Sequence, residues 1–280
     1  MINRKSNHRK TTKQAQEFLP KKNGKNDIIG VAIWAVAALG WVFASIVLAE
    51  LIVGNIIILM IGREAFFEPV PTAIFSVLSY ILSFILIAFV PSIIITRWRN
   101  VEKNKTEKPQ FVKLKTLGVS GLPTWTDIGL SIVGFILYFV IATILIAIFQ
   151  NFAWFNADEV QNIGFNTNIY GTERIVAFLT LVVLAPIIEE LIFRGWLYGK
   201  MREKFSLVTT QLASILISTF LVSLAFGIIH GQWNVGINVF AMSVVACAMR
   251  EYTGTIYAGI LLHMIKNGLA FYYLFVFGIG

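Results

Sequence analysis

The feature that most constrains this chain is a series of seven long apolar stretches separated by short polar segments. A bilayer core takes roughly 20 apolar residues per helix, and most of these stretches reach that length. Hydrophobic residues make up 57% of the 280 positions, more than a water-soluble domain needs. The sequence therefore predicts an all-α fold, a polytopic transmembrane helix bundle of about seven to eight helices with a buried cavity. The predicted spans are 28–61, 70–96, 128–149, 175–198, 209–230, 236–249 and 255–277.

The helix count depends on the stretch 28–61, which is longer than one crossing requires. We expect one tilted helix there, although two closely spaced elements are the alternative. The remaining chain contains no repeat, linker or low-complexity tract that would separate domains. Residues 28–280 are therefore predicted to form a single transmembrane bundle, preceded by a disordered basic tail at 1–27.

Charge is distributed along the chain in a way that predicts its orientation. Basic residues cluster in 1–27, 97–115 and 200–204, whereas the intervening loops 62–69 and 150–173 carry mainly acidic residues. An excess of Lys and Arg marks cytoplasmic segments, so the N-terminus is predicted to be cytoplasmic. The net charge of +8 then reflects membrane topology, and no nucleic-acid partner is expected. We expect an integral protein of a bacterial plasma membrane, with membrane lipid as its surroundings.

Several ionisable residues occur inside the apolar stretches. Placing such a group at the centre of a membrane helix costs roughly 2.5–3.5 kcal/mol even on the most lenient scale, so each one indicates a function or a partner. The residues concerned are Glu189, Glu190, Arg194, His230 and His263, with Glu50 and Lys266 as weaker examples.

Two adjacent glutamates share one nearby arginine in the segment 184–195. Glu190 and Arg194 are four residues apart, so they lie on the same helix face and can form a charge-assisted pair. Glu189 is rotated by about 100° from that face and lacks this cation, which makes it the candidate general base. The alternative is a buried ion network that only fixes helix packing.

The two histidines of the apolar stretches can supply the remaining polar groups. His230 lies one turn after Phe226, and His263 lies one turn before Asn267. The stretch 236–249 spans only about 21 Å as a helix, too short for a full crossing. We therefore predict a break at 231–236 inside the membrane, which would bring His230 towards Glu189 and His263.

At these residues the sequence resembles the CAAX protease and bacteriocin-processing (CPBP, Abi) family of intramembrane peptidases, over about residues 120–275. The motifs are Glu189-Glu190-x-x-x-Arg194, Phe226-x-x-x-His230 and His263-x-x-x-Asn267, in the family's order. The resemblance implies hydrolysis of a peptide bond in a small peptide or in the C-terminal segment of a protein. It implies that Glu189 and His230 activate a water, that His263 and Asn267 stabilise the oxyanion, and that Glu190 and Arg194 orient the site.

Other interpretations of the same residues remain open at this point. Glu189, His230 and His263 could bind zinc in an open catalytic site, but the chain has no His-Glu-x-x-His motif, and we favour a mechanism without a cofactor. Its single cysteine, Cys247, provides neither a disulfide nor a cysteine-pair metal site. A non-catalytic bacteriocin immunity protein and a proton-coupled transporter are the alternatives from other functional classes. The sequence does not specify a substrate.

Overall fold

The computed structural model describes residues 25–103, 106–161, 164–165 and 168–278. Within these ranges every regular element is helical, and seven helices are long and apolar enough to cross a membrane. Short helical turns at Arg63–Phe66 and Leu114–Leu117 lie between them. The all-α transmembrane bundle predicted from the sequence is thus confirmed. The spanning helices are α1 (Lys25–Ile61), α2 (Pro69–Lys103), α3 (Trp125–Phe149), α4 (Gly171–Ser206), α5 (Gln211–Ile228), α6 (Trp233–Thr253) and α7 (Tyr257–Phe277).

Large apolar side chains cover the outside of the bundle. On α3, for example, Ile132, Val133 and Phe139 are all more than half exposed, whereas Tyr138 and Ala142 face inward. In water such a surface would be unstable, because exposed apolar area costs free energy roughly in proportion to its size. The apolar exterior suits lipid, so the chain is an integral membrane protein.

The first two helices differ in regularity. The stretch 28–61 is one continuous helix, α1, as expected. Helix α2 consists of Pro69–Ala88 and Val90–Lys103, joined at Phe89. Pro91 explains this break, since its ring clashes with the carbonyl one turn earlier and it has no N–H to donate. Helix α1 packs along the first part of α2.

Helix α4 is irregular on both sides of the two glutamates. Residues Ala185–Glu190 are α-helical, whereas Leu179–Leu184 and Leu191–Tyr198 are π-helical. Pro186 contributes to the first irregularity because it cannot donate the hydrogen bond of a regular helix. Stretches of π-helix are rare and often occur at functional sites. The carboxylates therefore lie on a short regular segment between two locally widened turns.

Helix α6 is longer than predicted. It runs over Trp233–Thr253, 21 residues, and not over 236–249. At 1.5 Å per residue its length is about 31 Å, which is enough for a full crossing. The prediction of a short sixth segment was wrong because hydropathy does not detect the polar residues at either end, such as Asn234 and Arg250, that continue the helix.

The chain reverses between α5 and α6 close to the predicted break, but at residues 229–232. The sequence analysis predicted a span that extends to residue 230. Helix α5 instead ends at Ile228, so His230 lies in the turn that follows it. Gly231 has a φ of +70°, a conformation that other residues rarely adopt. Beside the turn, a Cβ on Gly227 would lie 2.8 Å from the main-chain oxygen of Gly236. The two backbones are thus in direct contact and fix the position of the turn.

Most of the predicted basic tail, residues 1–24, lies outside the described residues. Helix α1 already includes Asp27, which the sequence analysis assigned to the tail. The predicted cytoplasmic location of the N-terminus stays a prediction. Between α3 and α4, the described residues form turns and irregular chain.

Candidate active site

A buried ion pair on α4 forms the base of the site. Arg194 Nη1 lies 2.8 Å from Glu190 Oε1, and both side chains are fully buried. The guanidinium also lies over the ring of Phe226, 4.5 Å from its centroid. This confirms the pairing predicted from the four-residue spacing, and it places a residue of the second motif against the first.

His263 connects the two glutamates. Its Nδ1 is 3.2 Å from Glu190 Oε1, and its Nε2 is 3.7 Å from Glu189 Oε2. Because Arg194 favours an ionised Glu190, we assign the proton to Nδ1, which then donates to that carboxylate. The other ring nitrogen, Nε2, is thereby directed at Glu189. The imidazole is thus held by one carboxylate and presented to the other.

Glu189 faces away from the arginine, as the 100° rotation between adjacent helical residues requires. Its Oε1 accepts a hydrogen bond of 2.8 Å from the hydroxyl of Tyr80 on α2. Its Oε2 faces His263, and the side chain remains 12% exposed. No Lys or Arg in the described ranges pairs with it within ion-pair distance. Glu189 is therefore a carboxylate with one free edge and no direct cation.

A cavity of about 190 Å³ lies beside this free edge. This volume is well above that of a single water molecule. One wall is the end of α5, where His230 Nδ1 is 2.8 Å from the main-chain oxygen of Phe226. A carbonyl can only accept, so Nδ1 carries the proton and Nε2 is left available. The polar residues that line the cavity are Glu50, Ser76, Ser79, Tyr80, Ser83, Glu189 and His230.

The ring of Phe226 contacts the rings of both histidines, His230 and His263. Its ring is 5.0 Å from that of His230 and 5.8 Å from that of His263, with edge-to-face geometry in both cases. The structure thus brings Glu189, Glu190, Arg194 and His263 into direct contact, and His230 onto the same cavity as Glu189.

Asn267 behaves differently from the other five predicted site residues. Its Nδ2 donates a 2.9 Å hydrogen bond to the main-chain oxygen of Leu181. Leu181 lies in the first π-helical stretch of α4, where the main-chain hydrogen bonds depart from the regular α-helical pattern. In this structure Asn267 therefore connects α7 to α4, and its role towards an oxyanion stays a prediction.

The zinc alternative requires three donors around one point. Glu189 and His263 approach each other, and His230 donates from Nδ1 to a carbonyl oxygen, which leaves its Nε2 available. In the part of the chain that the structure describes, no three His, Cys, Asp or Glu side chains are grouped closely enough to hold a metal ion. A mechanism without a cofactor stays a prediction, and the steps assigned to this chain's own residues do not require zinc.

Sequence analysis did not identify Tyr80, and it treated Glu50 only as a weak candidate. The sequence does contain a pattern that points to Tyr80. It is a polar stripe on the second span, formed at helical spacing by Thr72, Ser76, Tyr80 and Ser83. In a lipid-embedded helix such a stripe faces protein or a hydrated cavity. Ser76, Tyr80 and Ser83 of this stripe line the cavity together with Glu189.

We expect Tyr80→Phe to lower the turnover rate by about tenfold, the effect of losing one hydrogen bond to a charged group. The ring remains, so packing and the melting temperature should change little. The measurement is kcat and Tm of the purified variant in detergent. Tyr257→Phe is a matched control, because its hydroxyl bonds to the main-chain oxygen of Gly121, outside the cavity. Equal rates for Tyr80→Phe and the parent would contradict a role for this hydroxyl.

Comparison with known proteins gives one family match. Residues 171–269, about a third of the chain, match the family model described as Rce1-like, type II CAAX prenyl endopeptidase Rce1-like. The matched segment contains all three motifs and lies within the region 120–275 where the resemblance was seen. No curated protein and no solved structure gives a significant match. The resemblance to CAAX proteases predicted from the motifs is thus confirmed, and it supports a membrane protease over a binding protein.

Proposed function

We propose that this chain, which matches the Rce1-like CAAX prenyl endopeptidase model over residues 171–269, is an intramembrane endopeptidase that uses Glu189 and His230 to activate a water molecule. Its substrate is a small peptide or the C-terminal segment of a membrane-attached protein. The observation that carries the proposal is the free edge of Glu189, which faces a cavity that His230 also lines.

The first step assigned to these residues is proton abstraction. A water in the cavity gives a proton to Glu189, and its oxygen attacks the carbonyl carbon of the scissile bond. Tyr80 holds the other oxygen of the carboxylate, so that one oxygen remains for the water. The available Nε2 of His230 can accept a hydrogen bond from the same water. Glu189 then returns the proton to the leaving amine.

Stabilisation of the oxyanion is assigned to His263. The Nε2 of His263 becomes a positioned donor beside Glu189 when the ring takes up a second proton, and such a donor is worth several kcal/mol in a site that excludes water. Glu190 and Arg194 hold the ring in place from the other side. Asn267 lies one turn further along α7, and it would have to exchange its bond to Leu181 for the oxyanion. His263 is therefore the stronger of the two predicted donors.

The prenyl endopeptidase named in the family match suggests a first substrate to test. This is a peptide ending in the C-a-a-X pattern, with a prenyl group on its cysteine. Cleavage would release the last three residues. Bacteriocin or pheromone precursors are the second substrate class to be tested with the same protein.

We expect His230→Ala to lower kcat by about 10²-fold, the lower range for one acid–base group. His230 lies in the turn after α5, so the helices should remain folded. The measurement is release of the C-terminal tripeptide from a farnesylated C-a-a-X peptide, with and without a chelator. Full activity of the variant would contradict the assignment, and loss of activity with chelator, restored by zinc, would support the metal-dependent alternative.

A further inference from the structure

Lys266 lines a second pocket, separate from the cavity that Glu189 and His230 line. The pocket has a volume of about 360 Å³ and lies between α3, α6 and α7. Lys266 is one helical turn beyond His263, about 4.5 Å along the helix axis. No motif of the family resemblance includes it.

The Lys266 ammonium has no direct partner in the part of the chain that the structure describes. It takes part in no ion pair or hydrogen bond with the described residues around it, although Glu189 lies within electrostatic range. A lysine within a membrane helix is costly unless it is paired or faces a polar cavity. Lys266 faces a pocket that contains polar side chains, and its ammonium is available there to an anionic ligand.

The surroundings of Lys266 favour an anion. The described lining includes no Asp or Glu, but it contains the amides of Gln161, Asn234 and Asn238. Tyr138 donates its hydroxyl to Asn238 Oδ1 at 2.8 Å. This bond orients the amide, so that Nδ2 is left as a donor. A fixed cation and a neighbouring amide donor together suit a carboxylate.

Helix α7 carries His263 and the pocket residue Lys266 on one face. His263, Lys266, Ala270 and Tyr273 follow one another at spacings of three and four residues, and the last three line the pocket. The Lys266 ammonium lies within electrostatic range of Glu189, His230 and His263. A ligand held by Lys266 would therefore lie within a few residues' length of the scissile bond.

We propose that this pocket binds the free C-terminal carboxylate of the peptide on the leaving-group side of the cleaved bond. The inference rests on the proposed peptidase function and adds a specificity-determining residue to it. Three residues of extended peptide span about 10 Å, which matches a short C-terminal product. Apolar side chains of that product would lie against Phe135, Phe139 and Leu269. The competing explanation is that Lys266 only offsets the charge of Glu189.

The test compares an acid with its amide. The tripeptide Val-Ile-Met and its C-terminal amide are titrated into the purified protein in detergent, and Kd is measured. We expect the parent to bind the acid at least tenfold more tightly than the amide, the usual effect of one charge-assisted bond. Lys266→Met should lose that difference by weakening only the acid. Lys200→Met is the control, because Lys200 forms an exposed pair with Glu203 far from the pocket.

Each other result has a defined meaning. Equal binding of acid and amide by the parent, no binding of either, or equal weakening of both by Lys266→Met would overturn the proposal. If Lys266→Met does not fold, Asn238→Asp provides the same test, since a carboxylate at that position should repel the acid and leave the amide unaffected. Cleavage of the farnesylated peptide is measured separately. Acid-selective binding without cleavage would contradict the proposed peptidase function and support the carboxylate site. Cleavage without acid selectivity would support the peptidase function and contradict the carboxylate site.

Discussion

Glu189→Gln is expected to lower kcat by about 10³-fold, within the range for loss of a general base, while the protein remains folded. The substitution keeps the shape of the side chain, and its amide oxygen can still accept the hydrogen bond from Tyr80. The amide nitrogen faces His263, where a donor is compatible with the ring nitrogen. What is lost is the ability to accept a proton from water. The measurement is kcat on the farnesylated peptide, together with Tm in detergent.

A matched control for this variant is Glu203→Gln on the last turns of α4. Glu203 is on the same helix, but its side chain is 59% exposed and pairs with Lys200. Surface pairs of this kind contribute little to stability, so both rate and Tm should match the parent. A Glu189→Gln variant that cleaves as fast as Glu203→Gln would remove Glu189 from the mechanism.

Arg194→Met is expected to act on stability. The guanidinium and the carboxylate of Glu190 are both fully buried and 2.8 Å apart. Methionine fills part of the space but leaves Glu190 as an unpaired buried acid. Breaking a buried pair in this way typically costs about 3–5 kcal/mol. We expect a clear fall in Tm and in folded yield, with activity lost as a consequence.

The double variant Arg194→Met with Glu190→Gln separates charge from packing. If the unpaired acid causes the loss, the neutral amide should recover part of the lost stability, because removing both charges of a buried pair costs less than removing one. The readout is Tm of both single variants and of the double variant. An unchanged Tm for Arg194→Met would show that the pair does not hold this part of the bundle.

These two expectations divide the adjacent glutamates by role. Glu190 is surrounded by Arg194 and His263 and has no access to the cavity. Glu189 lines the cavity and contacts Tyr80. The division follows from the helix itself, since neighbouring residues point about 100° apart. A carboxylate that holds the site and one that faces its water can therefore be adjacent in sequence.

Where the sequence and the structure disagree, the cause is local and physical. The sixth helix was predicted to be short because hydropathy falls at Asn234 and Arg250, yet a helix does not end where its residues become polar. His230 was placed in the fifth span, whereas the chain has already turned after Ile228. Gly231 and the contact between Gly227 and Gly236 decide where that turn occurs.

The sequence by itself determined the seven apolar helices and the pairing of Glu190 with Arg194, because hydropathy and a spacing of four residues act within a single segment of chain. Only the tertiary structure decided that Tyr80 bonds Glu189, that His263 lies between two carboxylates, and that Asn267 bonds Leu181. Each of these contacts joins two helices. Their rotation and depth are set by how side chains and glycines pack against one another, and that information is not contained in any one stretch of sequence.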